Sequence, residues 1–141
     1  TNTYQRGDLN ALDYQRQAEF SSTHTYFRNW IEFRKSDAGR GLRLETFPPD
    51  GFFEFYPATS GHGMGVLYNA QHTEDVPQLF FAVNPMPRSC NIKLKDLDGK
   101  PKWVQLADSE RFNSQGLESV VTPLRSELKL PPMSCALWIS G

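Results

Sequence analysis

Three histidines, two cysteines and sixteen carboxylates are the side chains here that could carry chemistry. His24, His62 and His72 each stand apart from any second His, Cys or carboxylate at a metal-ligand spacing, so no metal site is expected. His62 falls in Gly61-His62-Gly63 and reads as a solvated loop residue. There is no Gly-x-Ser-x-Gly elbow to hold a nucleophilic serine and no Gly-rich cradle for a phosphate. Asp8 and Asp13 could in principle flank a glycosidic bond as acid and nucleophile. Their spacing does not require it, because a polar N-terminal segment carries carboxylates in any case. Trp103 could stack a sugar ring, or it could be a core residue of a strand. Cys90 and Cys135 form neither a disulfide framework nor a metal cluster. Both sit on apolar faces of expected strands and read as buried free thiols, with a Cys90–Cys135 disulfide as the alternative.

Strands must position most of these groups. Leu79 to Val83 is a continuous apolar run, broken by Asn84-Pro85-Met86-Pro87. Ser89 to Leu94 then alternates, with Cys90, Ile92 and Leu94 on one side. The pair reads as a hairpin, with its first strand apolar on both faces and so covered on both. A similar pair closes the chain: Leu128-Lys129-Leu130, then Pro131-Pro132, then Ser134 to Ile139. In the last strand Trp138 and Ala136 lie opposite Cys135, Leu137 and Ile139, so it too needs two covers. The two stretches should meet in one core. Further strands are expected at Leu42–Thr46, Phe52–Tyr56, Met64–Ala70, Lys102–Ala107 and Leu117–Val121, with a turn at Asp98-Gly99.

One helix is expected, over Phe20–Asp37. Ser21 or Ser22 is its candidate N-cap, and Gly39 and Gly41 its stop. Phe27, Trp30, Ile31 and Arg34 share a face, and Phe27 and Trp30 are expected to pack into the core. The fold class that follows is mainly β: an antiparallel β-sandwich of seven to eight strands preceded by one amphipathic helix.

The totals narrow the partners. The 141 residues suit one domain, or one domain with an appendage. Fifteen Lys and Arg face sixteen Asp and Glu with no basic stripe, which argues against nucleic acid. No apolar run approaches the roughly 20 residues that span a bilayer, and no charged-then-apolar leader is seen. The compartment stays open, with the cytoplasm preferred. No cofactor is implied.

The order of pieces resembles the end of pullulanase-type debranching enzymes of the α-amylase clan. Thr3 to Tyr14, TYQRGDLNALDY, is similar to that family's S-Y-x-S-G-D-x-x-N-x-x-D-W segment, although Ala11 stands where the family commonly has Arg. Tyr26 to Ser36, YFRNWIEFRKS, resembles its last barrel helix, Y-Y-x-x-L-I-x-L-R-K-x. Leu79–Asn84 and Leu130–Leu137 are similar to its h-V-x-x-N and h-P-P-x-S-x-x-h strands. The resemblance implies residues 1–40 as the tail of a (β/α)₈ barrel and residues 41–141 as the β-sandwich that follows it. A full barrel takes about 250 residues, so the catalytic carboxylates would lie upstream and this chain would hold no catalytic residue. The implied parent hydrolyses α-1,6 links of pullulan, glycogen or starch. The implied partner is its missing barrel, with α-glucan as a further one. Asp8 and Asn10 match positions that the family places at a substrate subsite, and Trp103 joins them as a candidate sugar contact. An isolated piece of this kind should expose an apolar patch on the helix and one sheet face. The alternative is a free-standing carbohydrate-binding module, with Trp103 and Tyr56 or Tyr68 exposed on one sheet face.

Overall fold

A computed structural model describes residues 15–72, 75–94, 97, 102–118 and 124–141. Asp8, Asn10, Asp13 and the Asp98-Gly99 turn lie outside the described residues. The chain forms a short helical turn α1 (Arg16–Glu19) and a helix α2 (Ser21–Lys35). Seven strands follow: β1 (Phe53–Pro57), β2 (Met64–Tyr68), β3 (Leu79–Asn84), β4 (Cys90–Lys93), β5 (Trp103–Ala107), β6 (Glu127–Leu130) and β7 (Ser134–Ser140). A five-stranded sheet in the order β1-β2-β3-β7-β5 faces a two-stranded sheet of β4 and β6, all pairings antiparallel. This is the expected helix-led β-sandwich.

β3 and β7 lie side by side at the centre of the large sheet, and both are covered on both faces. One face meets β4 and β6. Phe80, Ala82, Ala136 and Trp138 point into that space with Cys90, Ile92, Leu128 and Leu130, and each is at most 2 % exposed. Phe80 packs at 5.8 Å from Trp138 and 5.6 Å from Tyr56 between ring centroids. A Cβ at Gly65 would collide with the Phe80 ring, which is why β2 carries glycine there. The other face meets α2. Leu79, Leu137, Leu106 and Ala107 pack there against Phe33, with Trp30 over Phe81 and Phe112.

Several expectations need correction. The Asn84-Pro85-Met86-Pro87 break does not close a hairpin. β3 is already paired on both sides, by β2 and β7, so the chain crosses to the small sheet and β4 pairs with β6. β6 and β7 are split in the same way. Asn84 ties the two crossings together. Its buried amide donates to the carbonyls of Arg88 (2.8 Å) and Pro131 (2.7 Å), and its oxygen accepts from the Met86 amide (3.1 Å). The Met133 amide adds a bond to the Met86 carbonyl at 2.9 Å.

Leu42–Thr46 is not a strand. Arg40–Leu42 forms a 3-10 turn, and Arg43 folds back to donate to the carbonyls of Arg34 (2.8 Å) and Lys35 (3.2 Å). Those are orphan acceptors at the end of α2, so the segment serves as a cap instead of extending. At the other end Phe20, not Ser21 or Ser22, occupies the N-cap, because α1 already supplies the preceding turn. Leu117 and Glu118 are not in a strand, and the rest of the strand expected there lies outside the described residues.

Candidate functional site

Most of the chemistry-bearing side chains are kept apart. Among the described residues no group of three His, Cys, Asp or Glu converges as a metal site would require. His24, His62 and His72 are exposed on separate segments. Cys90 lies in the core between the sheets and Cys135 on the opposite face of the large sheet, so both stay free thiols. Cys135 is half-buried, less enclosed than expected. No described helix is long and apolar enough to cross a membrane.

The aromatics considered for sugar stacking face inward. Trp103 is half-buried in β5 and packs on the core between the sheets. No acceptor among the described residues reaches its Nε1. Tyr56 is buried in the same core, and Tyr68 is half-buried with its ring edge against Phe53 at 5.3 Å. No described position therefore offers the Trp103–Tyr platform that a binding module would use. Asp8 and Asn10 lie outside the described residues.

One polar cluster does form, where α2 crosses the end of β5 and the start of β7. The Tyr26 hydroxyl donates to the Asp108 carbonyl at 2.8 Å and lies 3.9 Å from the Cys135 thiol. Burial pushes the Tyr26 hydroxyl up to about 12; a hydrogen bond with Trp30 opposes the shift and Cys135 adds to it. Asp108 pairs with Arg111 and accepts the amides of Glu110 and Arg111. Burial would raise its carboxyl, but the Arg111 side chain and these amides together hold it below the ordinary carboxylate range. An open groove of about 620 Å³ runs beside the cluster between residues 108–111 and 130–136. Nucleophile, base and acceptor are not aligned there. Each polar group is spent on a backbone partner or an ion pair, so the cluster reads as a clamp of α2 on the sheet.

No protein-family profile, curated protein or solved structure matches this chain.

Apart from Phe47 and Met133, the exposed large apolar side chains of the described residues stand on α2, on its N-cap Phe20 and on β1 and β2 of the large sheet. The burying stripe of α2 is Tyr26, Trp30 and Phe33, rotated from the expected face. Trp30 packs as expected, but Phe27 is 60 % exposed and Ile31 53 %. Phe20, the N-cap about two turns before Phe27, is 48 % exposed as well. The rotation follows from the partners: Tyr26 bonds Asp108, Asn29 donates to the Phe112 carbonyl at 3.5 Å, and Phe33 packs on Phe112, all toward β5. Phe27 and Ile31 are left outside that stripe, with Phe27 beside Ser109, Glu110 and Arg111 just past β5.

The sheet shows the same asymmetry. Across one row of paired residues, Leu137 is fully buried, Phe81 and Val66 are half-buried, and Phe55 is 60 % exposed. The rows on either side end on Phe53, 39 % exposed, and on β2 at Met64, 40 % exposed before Pro57. The helix side is thus covered over β3, β7 and β5, with Tyr68 of β2 packed at its margin, and leaves Phe53 and Phe55 of β1 and Met64 of β2 exposed. Exposed apolar side chains therefore occur on both the helix and one sheet face. Sequence reasoning missed which helix stripe is exposed, since both stripes are apolar.

Proposed function

We propose that this chain is a non-catalytic β-sandwich, with its leading helix, from a glycoside hydrolase acting on α-1,6 links of α-glucans. In this reading it packs against the catalytic (β/α)₈ barrel of the same polypeptide and stabilises it. The observation that carries the reading is the doubled apolar surface of α2. Tyr26, Trp30 and Phe33 are used by the sandwich, while Phe20, Phe27 and Ile31 stand exposed at spacings of seven and four. A helix that served the sandwich alone would present polar residues there. A helix shared between two bodies needs apolar residues on both sides. The resemblance of Tyr26–Ser36 to the last barrel helix of debranching enzymes, and of Thr3–Tyr14 to the segment before it, supports a barrel as the second body. Cleavage in the parent would use the retaining two-carboxylate mechanism, with both carboxylates on the barrel. This chain would supply no catalytic group.

The test is the intact mass of the native protein in its source cells, detected with an antibody to this chain. A mass several times 16.1 kDa, with α-1,6-glucan hydrolysis in the immunopurified protein, is the expected result. A native mass near 16.1 kDa would sink the proposal.

A further inference from the structure

A pocket of about 390 Å³ opens where the chain crosses from β3 to β4. Two segments wall it. One is the β1–β2 loop, with Ser60 and His62; the other is the β3–β4 crossing, with Met86, Arg88 and Ser89. Both are fixed through their backbones. In the loop, the Thr59 amide donates to the Asn91 carbonyl at 2.8 Å and the Ala58 amide to the Gly63 carbonyl at 2.9 Å. In the crossing, the Asn84 side chain donates to the Arg88 carbonyl at 2.8 Å, and the Met133 amide to the Met86 carbonyl at 2.9 Å. A Cβ at Gly63 would collide with the Cys90 thiol, so the loop is pressed flat on Cys90.

The polar side chains of the pocket take no part in this framework. Among the described residues, none of Ser60, His62, Arg88 and Ser89 spends its side chain on a hydrogen bond or an ion pair. The setting has a sign. Residues 57–64, 84–92 and 128–134 build this end of the sandwich, and they hold His62, Arg88 and Lys129 but no Asp or Glu. Glu127 lies farther along and pairs across the small sheet with Lys93. Asp108 and Glu110 line the separate groove beside Tyr26, where Arg111 meets the Asp108 charge. Burial pushes the Cys90 thiol up, so this side of the pocket adds no negative charge near neutral pH.

We propose that this pocket binds a small phosphate monoester, its phosphoryl oxygens taken by Arg88, His62 and the two serine hydroxyls and its organic part laid on Met86. The inference is independent of the docking reading above. A planar carboxylate meets a guanidinium fork along one edge, whereas a phosphoryl group carries oxygens in several directions and can be held from both walls. The volume lies toward the small end of the range for small-molecule sites, about 300–1,000 Å³, and is more than a bare phosphate needs.

Phenyl phosphate, inorganic phosphate and phenol test the pocket, each titrated into the isotope-labelled chain and followed by amide shifts. Phenyl phosphate should give saturable shifts confined to residues 59–63 and 85–90, and should bind at least tenfold tighter than inorganic phosphate; phenol should give none. Arg88→Gln should weaken binding roughly tenfold or more, with its urea midpoint unchanged because the side chain holds nothing in the fold, and Arg28→Gln on α2 should leave binding as it is. High salt should weaken binding to the unaltered chain. No saturable shifts, shifts centred elsewhere, or equal binding of phenol would each overturn the inference. So would binding indifferent to salt or to Arg88→Gln, and inorganic phosphate binding as tightly as the ester.

Discussion

The two faces of the five-stranded sheet are built from the same strands and finished differently. The face against β4 and β6 is closed: Phe80, Ala82, Ala136 and Trp138 are all at most 2 % exposed. The face against α2 is closed over β3, β7 and β5 and only partly covered over β1 and β2, where Phe53, Phe55 and Met64 remain exposed. Apolar content does not distinguish the faces, since Phe55 is as apolar as Phe80. What differs is the cover. Two short strands with a period of two place Cys90, Ile92, Leu128 and Leu130 over the first face. A single helix about 10 Å wide cannot span the second. In the function proposed above, the uncovered part of this face is where the barrel would pack.

The comparison is broken most severely by emptying the closed face. Trp138→Ala removes the largest fully buried side chain among the described residues, next to Phe80. The expected loss is about 5 kcal/mol, near the top of the range for aromatic truncation. Urea unfolding of the pure chain measures it, and a loss under about 2 kcal/mol would mean that the two sheets are not packed as described.

Phe33→Ala tests the covered half of the second face. Phe33 is the only residue of α2 that is buried outright, and it belongs to one buried cluster with Leu79, Leu106 and Leu137. The expected loss is about 3 kcal/mol, smaller than for Trp138 because a surface helix can settle into the gap. Circular dichroism through the same transition should show helix and sheet melting together. A helix that melts first, with the sheet unaffected, would mean that α2 is an appendage and not part of the core.

These two positions also show how far the sequence could be read. Alternation and apolar runs identified β3, β4, β6 and β7, and the need for covers on both faces of β3 and β7 followed from the lack of polar residues in them. Pairing was not legible. The break at Asn84-Pro85 marks a chain reversal equally well for a hairpin and for a crossing between sheets, and only the occupied edges of β3 decide between them. The helix face was misread for a related reason. Periodicity finds an apolar stripe, but α2 has two, and Phe27 and Ile31 fit the template as well as Tyr26 and Phe33 do. The Tyr26–Asp108 bond, which joins residues 82 apart in sequence, selects one of them, and no local pattern announces it. Trp103 carried the same ambiguity between core and surface, and in the fold it packs toward the core.

The Tyr26 clamp gives a pH signature. Its hydroxyl is pushed up to about 12 by burial, above the ordinary value of 10.0. The folded state therefore holds this proton more tightly than the unfolded chain does. The resulting stability is complete below about pH 10 and is lost as pH rises toward about 12. Burial raises Tyr68 in the same direction, so part of the loss belongs to it. The unfolding midpoint is expected to fall between pH 10 and 12, and Tyr26→Phe should make that fall shallower while lowering stability by about 1 kcal/mol at neutral pH through the lost hydrogen bond. Phenolate absorbance during the same titration identifies the groups. An equally steep fall in the variant would remove Tyr26 from the clamp.

The smallest expected effect sharpens the comparison most. Phe55 lies in the same row as Phe81 and Leu137, yet 60 % of it faces solvent. Phe55→Ser in the isolated chain should change stability by no more than about 0.5 kcal/mol, as exposed substitutions usually do. An equal truncation at Phe80, one register position away on the closed face, would cost several kcal/mol. In a polypeptide where a partner covers β1 and β2, the same Phe55→Ser change should cost about 1–2 kcal/mol more, because the side chain then leaves water on docking. Parallel thermal unfolding of the isolated and the full-length forms measures that difference. Equal, small losses in both forms would mean that β1 and β2 stay uncovered, and a large loss already in the isolated chain would mean that Phe55 is not the surface residue described.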